Sequence, residues 1–494
     1  MMDFDGLRPQ AVQHIATRDE EKPVSLFDFE VVEIAERGWK DSPRAASLLN
    51  DRMAIALGMF LFLVPVPYGA NRPLAWLVAI GIISAMALVY LVVFPILSPR
   101  QPMQIRNYWK VLVPGLLAIV YAMMQLLPIS FGGVMELPSL VLPNSLTVSP
   151  SATVLGILRM LSYALLFVLV SEVCSNRRRT ERLLKWVFFG IVAHALWALL
   201  SLGVFNDTLL FQDKTDYVGY ATGTFINRNS FATFMGMGMV IGVALIVMDI
   251  RMPTHRRSKR SSKHKGITIE NVFLMLLVGV IFGALLASAS RLGLFASLLG
   301  AWFTASALML RTGVRVSRVL WGSVLAGGIG LAVILTLAGS AVLERLVFTL
   351  VNAEGRSEIY RQTLDMIASR PWAGFGLDSF QMSFELFHTP ELSTAFVWDK
   401  PHNTYLTLWT ELGVIAGSLP PLAAAIAFVL MIKTLRDPER AAVPAAAASG
   451  VIVVGAVHSL GDFSLEIAAN TYVFVAIVAL GLARRRYQNR GRGQ

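Results

Sequence analysis

A chain of 494 residues that is 55% hydrophobic and only 15% charged, with a mean hydropathy of +0.61, is outside the range of soluble globular domains and within that of integral membrane proteins. Its net charge of +11 does not imply a nucleic-acid partner, because Lys and Arg gather in the cytoplasmic loops of membrane proteins. One cysteine, Cys174, excludes an intrachain disulfide and a cysteine-built metal site.

Residues 1–51 are polar and carry both signs of charge, with Asp19, Glu20 and Glu21 in a row. They lack the short apolar core of a signal peptide, so the first span is expected to act as an uncleaved insertion signal. Twelve apolar stretches follow, each long enough to cross about 30 Å of hydrocarbon. They lie near 53–69, 73–97, 109–128, 152–173, 183–204, 230–250, 270–289, 292–310, 319–339, 403–432, 444–460 and 467–483. The expected fold class is an all-α polytopic membrane protein of about twelve transmembrane helices, with one large insert between the ninth and tenth.

Basic residues set the orientation. The arm, the loops near 98–110, 177–185, 251–265, 311–318 and 433–440, and the tail hold 33 of the 43 Lys and Arg. All fall on one side of the twelve spans, and the positive-inside rule makes that side cytoplasmic, with both termini. The run RMPTHRRSKRSSKHK (251–265) is then a topology signal. Of the remaining ten, nine lie in outward loops or span ends, and Arg159 lies within the outer part of the fourth span. A charge inside a span costs about 2.5–3.5 kcal/mol on insertion scales and so faces a protein interior or cavity.

Five polar stretches then stand out on the outer side. In GTFINRNSFATFM (223–235), Asn227, Arg228, Asn229 and Ser230 stand where the sixth span begins. Asn or Ser caps a helix, and an arginine beside free N–H groups makes a phosphate cradle; the alternative is an arginine snorkelling to the headgroups. In SASRLGLF (288–295), Arg291 sits in the hairpin between spans seven and eight, beside small residues that allow close approach. It is either a second cation for an anion or a turn anchor.

The third stretch is an amphipathic helix over 355–369. Arg356, Ile359, Tyr360, Thr363, Met366, Ile367 and Arg370 share one face, and Glu358, Arg361 and Asp365 the other. Arg361 can pair with Asp365 at i,i+4, which favours Arg356 as the ligand-facing group. The fourth, PHNTYLTLWTELG (401–413), brings His402 and Asn403 to the start of span ten. A histidine there is either structural or a general base. No HxxE or HxxxH pair lies near it, so no metal is expected. The fifth, HSLGDFSLEIAAN (458–470), sets His458 and Asp462 four apart, on one face if the helix continues past Gly461.

These segments, in this order, resemble the O-antigen ligase and Wzy-type O-antigen and exopolysaccharide polymerase superfamily. The resemblance rests on GTFINRNSFA, the Ser290-Arg291 pair, R…RPWAGFGLDSF, PHNTYLTLWTELGVIAG and HSLGDFSLEIAAN, and covers roughly residues 150–483. It implies a metal-independent glycosyltransferase without cofactor in the bacterial inner membrane, acting at the periplasmic face on an undecaprenyl-diphosphate-linked glycan. His402 matches the base, and Arg228 and Arg291 match the diphosphate-binding arginines, with Arg356 or Arg361 as a further one. Arg159, Asn403, His458 and Asp462 complete the candidate substrate contacts. The implied partners are the lipid-linked donor, a glycan or lipid A–core acceptor, the bilayer and a chain-length regulator, with no nucleic acid. The domain plan is a cytoplasmic arm (1–52), transmembrane helices 1–9 (53–340), a periplasmic loop with the amphipathic helix (341–402), helices 10–12 (403–484) and a basic tail (485–494).

A lipid diphosphate is a good leaving group. Such an enzyme needs cations where negative charge grows, and one base for the incoming hydroxyl. A polymerase is slightly favoured over a ligase, since nothing singles out a lipid A acceptor. A lipid-linked oligosaccharide flippase is the alternative. Transport sites lie near the midplane with coupling carboxylates, whereas this chain concentrates its unusual charge at the outer face.

Overall fold

The computed structural model describes residues 43–99, 101–128, 145–210, 212–251, 268–322, 357–393, 397–437 and 442–483. The arm up to residue 42, the run 252–267, the tail from 484, and residues 323–356 with Arg345 and Arg356 lie outside them. The described chain is helical, with no strand beyond a single isolated bridge.

The first half contributes α1 Pro43–Leu63, α2 Pro73–Leu97, α3 Trp109–Met124, α4 Pro150–Val173, α5 Arg177–Gly203 and α6 Arg228–Arg251. After α7 Ile269–Ala287 and α8 Arg291–Arg311 come α9 (357–369), α10 Phe380–Phe384, α11 Thr404–Gly417, α12 Leu419–Arg436, α13 Ala442–His458 and α14 Ala468–Leu482. Among the described residues nine helices are long and apolar enough to cross a membrane, and α13 and α14 are shorter apolar helices. This is the architecture of a polytopic helical membrane protein. Of these helices α6 is the most enclosed, and α8 and α13 pack along it.

Several boundaries differ from the sequence expectation; α5, for one, begins at Arg177 and takes in the basic run expected as a loop. α1 starts at Pro43, about ten residues before the expected span, and stops ahead of Pro65 and Pro67. Proline suits a first helical turn but removes an interior bond. Asn50 of the extra turns accepts from the Tyr90 hydroxyl at 2.9 Å, which ties α1 to α2. Of the expected ninth span, 319–339, only residues 319–322 are described, at the end of the helical run 316–322.

The expected tenth span divides into α11 and α12. Within α11, Gly413 has φ 73° and ψ 165°. The Thr410 carbonyl, which a continuous helix would offer to Val414, accepts from the Phe375 N–H at 2.9 Å. The Val414 N–H donates instead to the Pro371 carbonyl at 2.8 Å, and Gly376 N–H takes the Glu411 carbonyl at 2.9 Å. A Cβ at Gly413 would lie 2.2 Å from the Trp372 carbonyl oxygen, so only glycine fits. The loop 371–376 thus breaks the helix by competing for its backbone bonds.

A candidate active site at three capped helix ends

Three of the expected site segments are helix N-termini, and each is capped by its own sequence. Asn227 Oδ1 accepts from the Asn229 N–H at 2.7 Å at the start of α6. Ser290 Oγ accepts from the Gly293 N–H at 3.3 Å at the start of α8. Asn403 Oδ1 accepts from Tyr405 and Leu406 at 3.0 and 3.2 Å at the start of α11. A helix N-terminus carries a partial positive charge. Arg228 and Arg291 are the first helical residues of α6 and α8, so two cations are added where the dipoles already favour an anion.

These ends converge. Gly293 of α8 packs on Ala232 of α6, and Leu292 lies beside Gly461 in the α13–α14 connection. Asn229 Nδ2 donates to Asp462 Oδ2 at 2.9 Å, and Asn403 Nδ2 donates to the Leu460 carbonyl at 2.9 Å. His458 Nδ1 lies 2.5 Å from Thr233 Oγ1. His458 and Asp462 do not share a helix face, because α13 ends at His458. They reach α6 instead, at Thr233 and Asn229, one helical turn apart.

Arg228 is held by aromatic rings. Its guanidinium carbon lies 4.5 Å from the Tyr220 ring centroid and 5.7 Å from that of Tyr217. Its Nε is buried without a hydrogen bond, and no carboxylate pairs with it among the described residues. Cation–π contact steadies the cation but leaves its charge uncompensated. Arg291 is exposed at the start of α8.

His402 is half-buried, with φ 55°. Its ring packs on Phe463 at 5.0 Å between centroids, and its carbonyl accepts from the Tyr360 hydroxyl at 3.2 Å. Phe463 follows Asp462, so the histidine meets the same connection that binds α6.

Beside it lies a cluster of charges. Arg159 Nη2 pairs with Asp378 Oδ1 at 2.8 Å, and Lys400 Nζ lies 3.0 Å from Glu466 and 3.7 Å from Asp378. The Glu411 carboxylate accepts from the Asp378 N–H at 2.8 Å. Burial works against the Asp378 charge, but Arg159 and Lys400 outweigh it and hold that carboxyl below its usual range. Burial likewise opposes the Lys400 charge, and the carboxylates around it hold its pKa above the usual lysine value.

The amphipathic helix has the expected faces. Ile359, Thr363, Met366 and Ile367 of α9 are buried, while Arg361 is exposed. Arg361 pairs with Glu358 at 2.5 Å and Asp365 at 3.2 Å, a surface arrangement. Arg356 lies outside the described residues. Arg370 is spent on structure, over the Phe375 ring at 5.1 Å. Among the described residues no three His, Cys, Asp or Glu side chains gather as a metal set.

The fold and the site define a multi-pass membrane protein with a polar, cation-rich centre at one end of its helices. Residues 273–420 match the family model described as O-Antigen ligase, which supports the O-antigen ligase-like superfamily for this chain. That stretch runs from α7 to the start of α12 and takes in Arg291, α9, Lys400 and His402. The Arg228 and His458 segments lie beyond it and meet it in space. No curated protein matches the sequence.

Sequence reasoning passed over Tyr217, Tyr220, Asp378, Glu411, Phe463 and Glu466. Lys400 had one legible signal, as a cation outside the cytoplasmic set. The tyrosines had none, because their contact with Arg228 depends on how the loop before α6 folds back.

Proposed function

We propose that this chain is a metal-independent inner-membrane glycosyltransferase that transfers or polymerises an undecaprenyl-diphosphate-linked glycan at the periplasmic face. The observation that carries it is Arg228, an unpaired cation among the described residues, braced by Tyr217 and Tyr220 at a capped helix N-terminus. A cation so held awaits an anion, and a lipid diphosphate supplies one at membrane depth. Arg291, at the neighbouring helix start, is the second cation.

In this mechanism the arginines and helix ends stabilise the charge that grows on the diphosphate as its bond to the sugar breaks. His402 takes the proton from the acceptor hydroxyl that forms the new glycosidic bond. Asn403, His458 and Asp462 hold the loops around the acceptor, and Arg159 stands behind them in its ion pair. A growing glycan is the favoured acceptor over lipid A–core, because no residue of the site singles out a lipid A; a chain-length regulator would then be a partner.

The test is transfer by Arg228→Ala and Arg291→Ala proteins that still insert in the membrane. Both are expected to lose product and accumulate lipid-linked donor. Arg228→Lys should recover only part, since an ammonium lacks the bidentate fork. Full transfer by both alanine variants would remove the diphosphate site.

A further inference from the structure

His402 holds a left-handed backbone, φ 55°. For a residue with a Cβ this conformation is strained and persists only where its surroundings over-determine it. Anchors stand on both sides. After it, Asn403 caps α11 and donates to the Leu460 carbonyl at 2.9 Å. At the residue itself, the Tyr360 hydroxyl donates to its carbonyl at 3.2 Å. Before it come Pro401, which is buried, and Lys400, which reaches Glu466 at 3.0 Å and Asp378 at 3.7 Å.

The partners of Lys400 are fixed in turn. Asp378 is pinned by Arg159 at 2.8 Å, and its N–H by Glu411 at 2.8 Å. Glu466 closes a short turn in which its N–H donates to the Phe463 carbonyl at 2.8 Å. Phe463 is the ring on which the His402 imidazole packs. One ammonium therefore ties the chain just before His402 to the turn that carries the imidazole's neighbour. Without it, Asp378, Glu466 and Glu411 would face Arg159 alone and repel one another, loosening both sides of the histidine.

We propose that Lys400 is a positioning residue which, clamped between Glu466 and Asp378, holds His402 left-handed and so aims its imidazole at the acceptor hydroxyl. This rests on His402 acting as the base, as proposed above. Lys400 touches neither substrate, and its effect passes wholly through the histidine. A misplacement of about 1 Å in a reacting group costs on the order of 10²-fold in rate.

The experiment compares purified Lys400→Met, Lys400→Arg, His402→Ala and the Lys400→Met/His402→Ala double variant. Transfer is measured with lipid-linked glycan extracted from the source membranes, and binding with undecaprenyl diphosphate. Lys400→Met should lose about 10²-fold in kcat with donor KM and undecaprenyl diphosphate binding unchanged. Lys400→Arg should recover most of that turnover, because it keeps the charge. The double variant should be no slower than His402→Ala, since effects that act through one residue do not multiply. Wild-type turnover in Lys400→Met beside an inactive His402→Ala overturns this inference alone. So does loss of undecaprenyl diphosphate binding in Lys400→Met, or a further 10²-fold loss in the double variant. Wild-type turnover in His402→Ala overturns the base itself, and this inference with it.

Discussion

Asn229 and Asp462, 233 residues apart, meet through a 2.9 Å hydrogen bond that joins the start of α6 to the connection between α13 and α14. The other carboxylate oxygen of Asp462 accepts from the Ser464 hydroxyl, and its backbone carbonyl accepts from Thr404 of α11 at 3.2 Å. Asp462 thus joins three elements of the candidate site, its carboxylate binding α6 to the α13–α14 connection and its backbone carbonyl reaching α11. Replacing it leaves Asn229 without its acceptor. Asp462→Ala is expected to destabilise the fold by about 1–3 kcal/mol, read as a lower Tm in detergent, with transfer reduced in parallel. Asp462→Asn keeps the size and one acceptor and should fall between. An unchanged Tm in Asp462→Ala would show that the bond holds nothing together.

His402→Ala should lower turnover by about 10²–10⁴-fold while donor still binds, as expected for loss of general-base assistance. Only a neutral imidazole accepts a proton, so wild-type transfer should decline on the acid side of neutrality. Asp378, held below its usual carboxyl range, keeps its charge as pH falls until its folded pKa is reached. Lys400, held above its usual value, keeps its charge up to strongly alkaline pH. That ion pair therefore stays intact across the acid limb. Glu411 and Glu466 are the other carboxylates on the network; Glu411, which accepts from the Asp378 N–H, is the one to test, and Glu411→Gln should retain the limb. Its disappearance in that variant would assign the limb to Glu411 instead. A chelator should leave transfer unchanged; inhibition reversed by a divalent ion would recast His402 as a ligand.

Asp378 also predicts the acid stability of the protein. Its folded pKa is depressed, so its contribution is present above the unfolded value near 3.9 and is lost as pH falls through the folded value. Wild-type and Asp378→Asn proteins should differ in Tm at pH 7, and the gap should close below about pH 4. A gap that is constant from pH 7 to pH 3 would mean the carboxylate charge does not matter.

Topology decides which side the site faces. Cys174 is buried, so single added cysteines can be labelled without competition from it. Gln381→Cys, exposed on α10, should react with an impermeant thiol reagent from outside. Ser262→Cys, within the basic run, should be protected until the membrane is opened. The reverse pattern would put the arginines and His402 on the cytoplasmic side and end the periplasmic assignment.

Gly376 has φ 113°, and a Cβ there would lie 1.9 Å from Thr147 Oγ1. Gly376→Ala combines a disfavoured backbone with a clash in a loop whose N–H holds the α11 break. Little folded protein should be recovered from it. Arg361→Ala, by contrast, removes only exposed pairs on α9 and should leave Tm and transfer at wild-type levels. A large loss there would mean that Arg361, and not its buried-face neighbours, meets the substrate.

Composition and patterning determined what was local. The apolar runs announced membrane helices, because lipid leaves the backbone no other partner than its own chain. Asn227 and Asn403 stood at expected span starts, where a cap bonds N–H groups two or three residues ahead, whereas the Ser290 cap was read only as part of a hairpin. The two faces of α9 followed from its period. Tertiary structure alone decided the rest. Gly413 breaks an expected span because Pro371, Phe375 and Gly376 take the bonds that a helix would make. Arg159 finds Asp378 from 219 residues away, and Lys400 finds Glu466 across α11, α12 and α13. Caps and periods are interactions of near neighbours and can be read along one dimension. Competition for a carbonyl or a carboxylate is settled by groups that only folding brings within about 3 Å of each other.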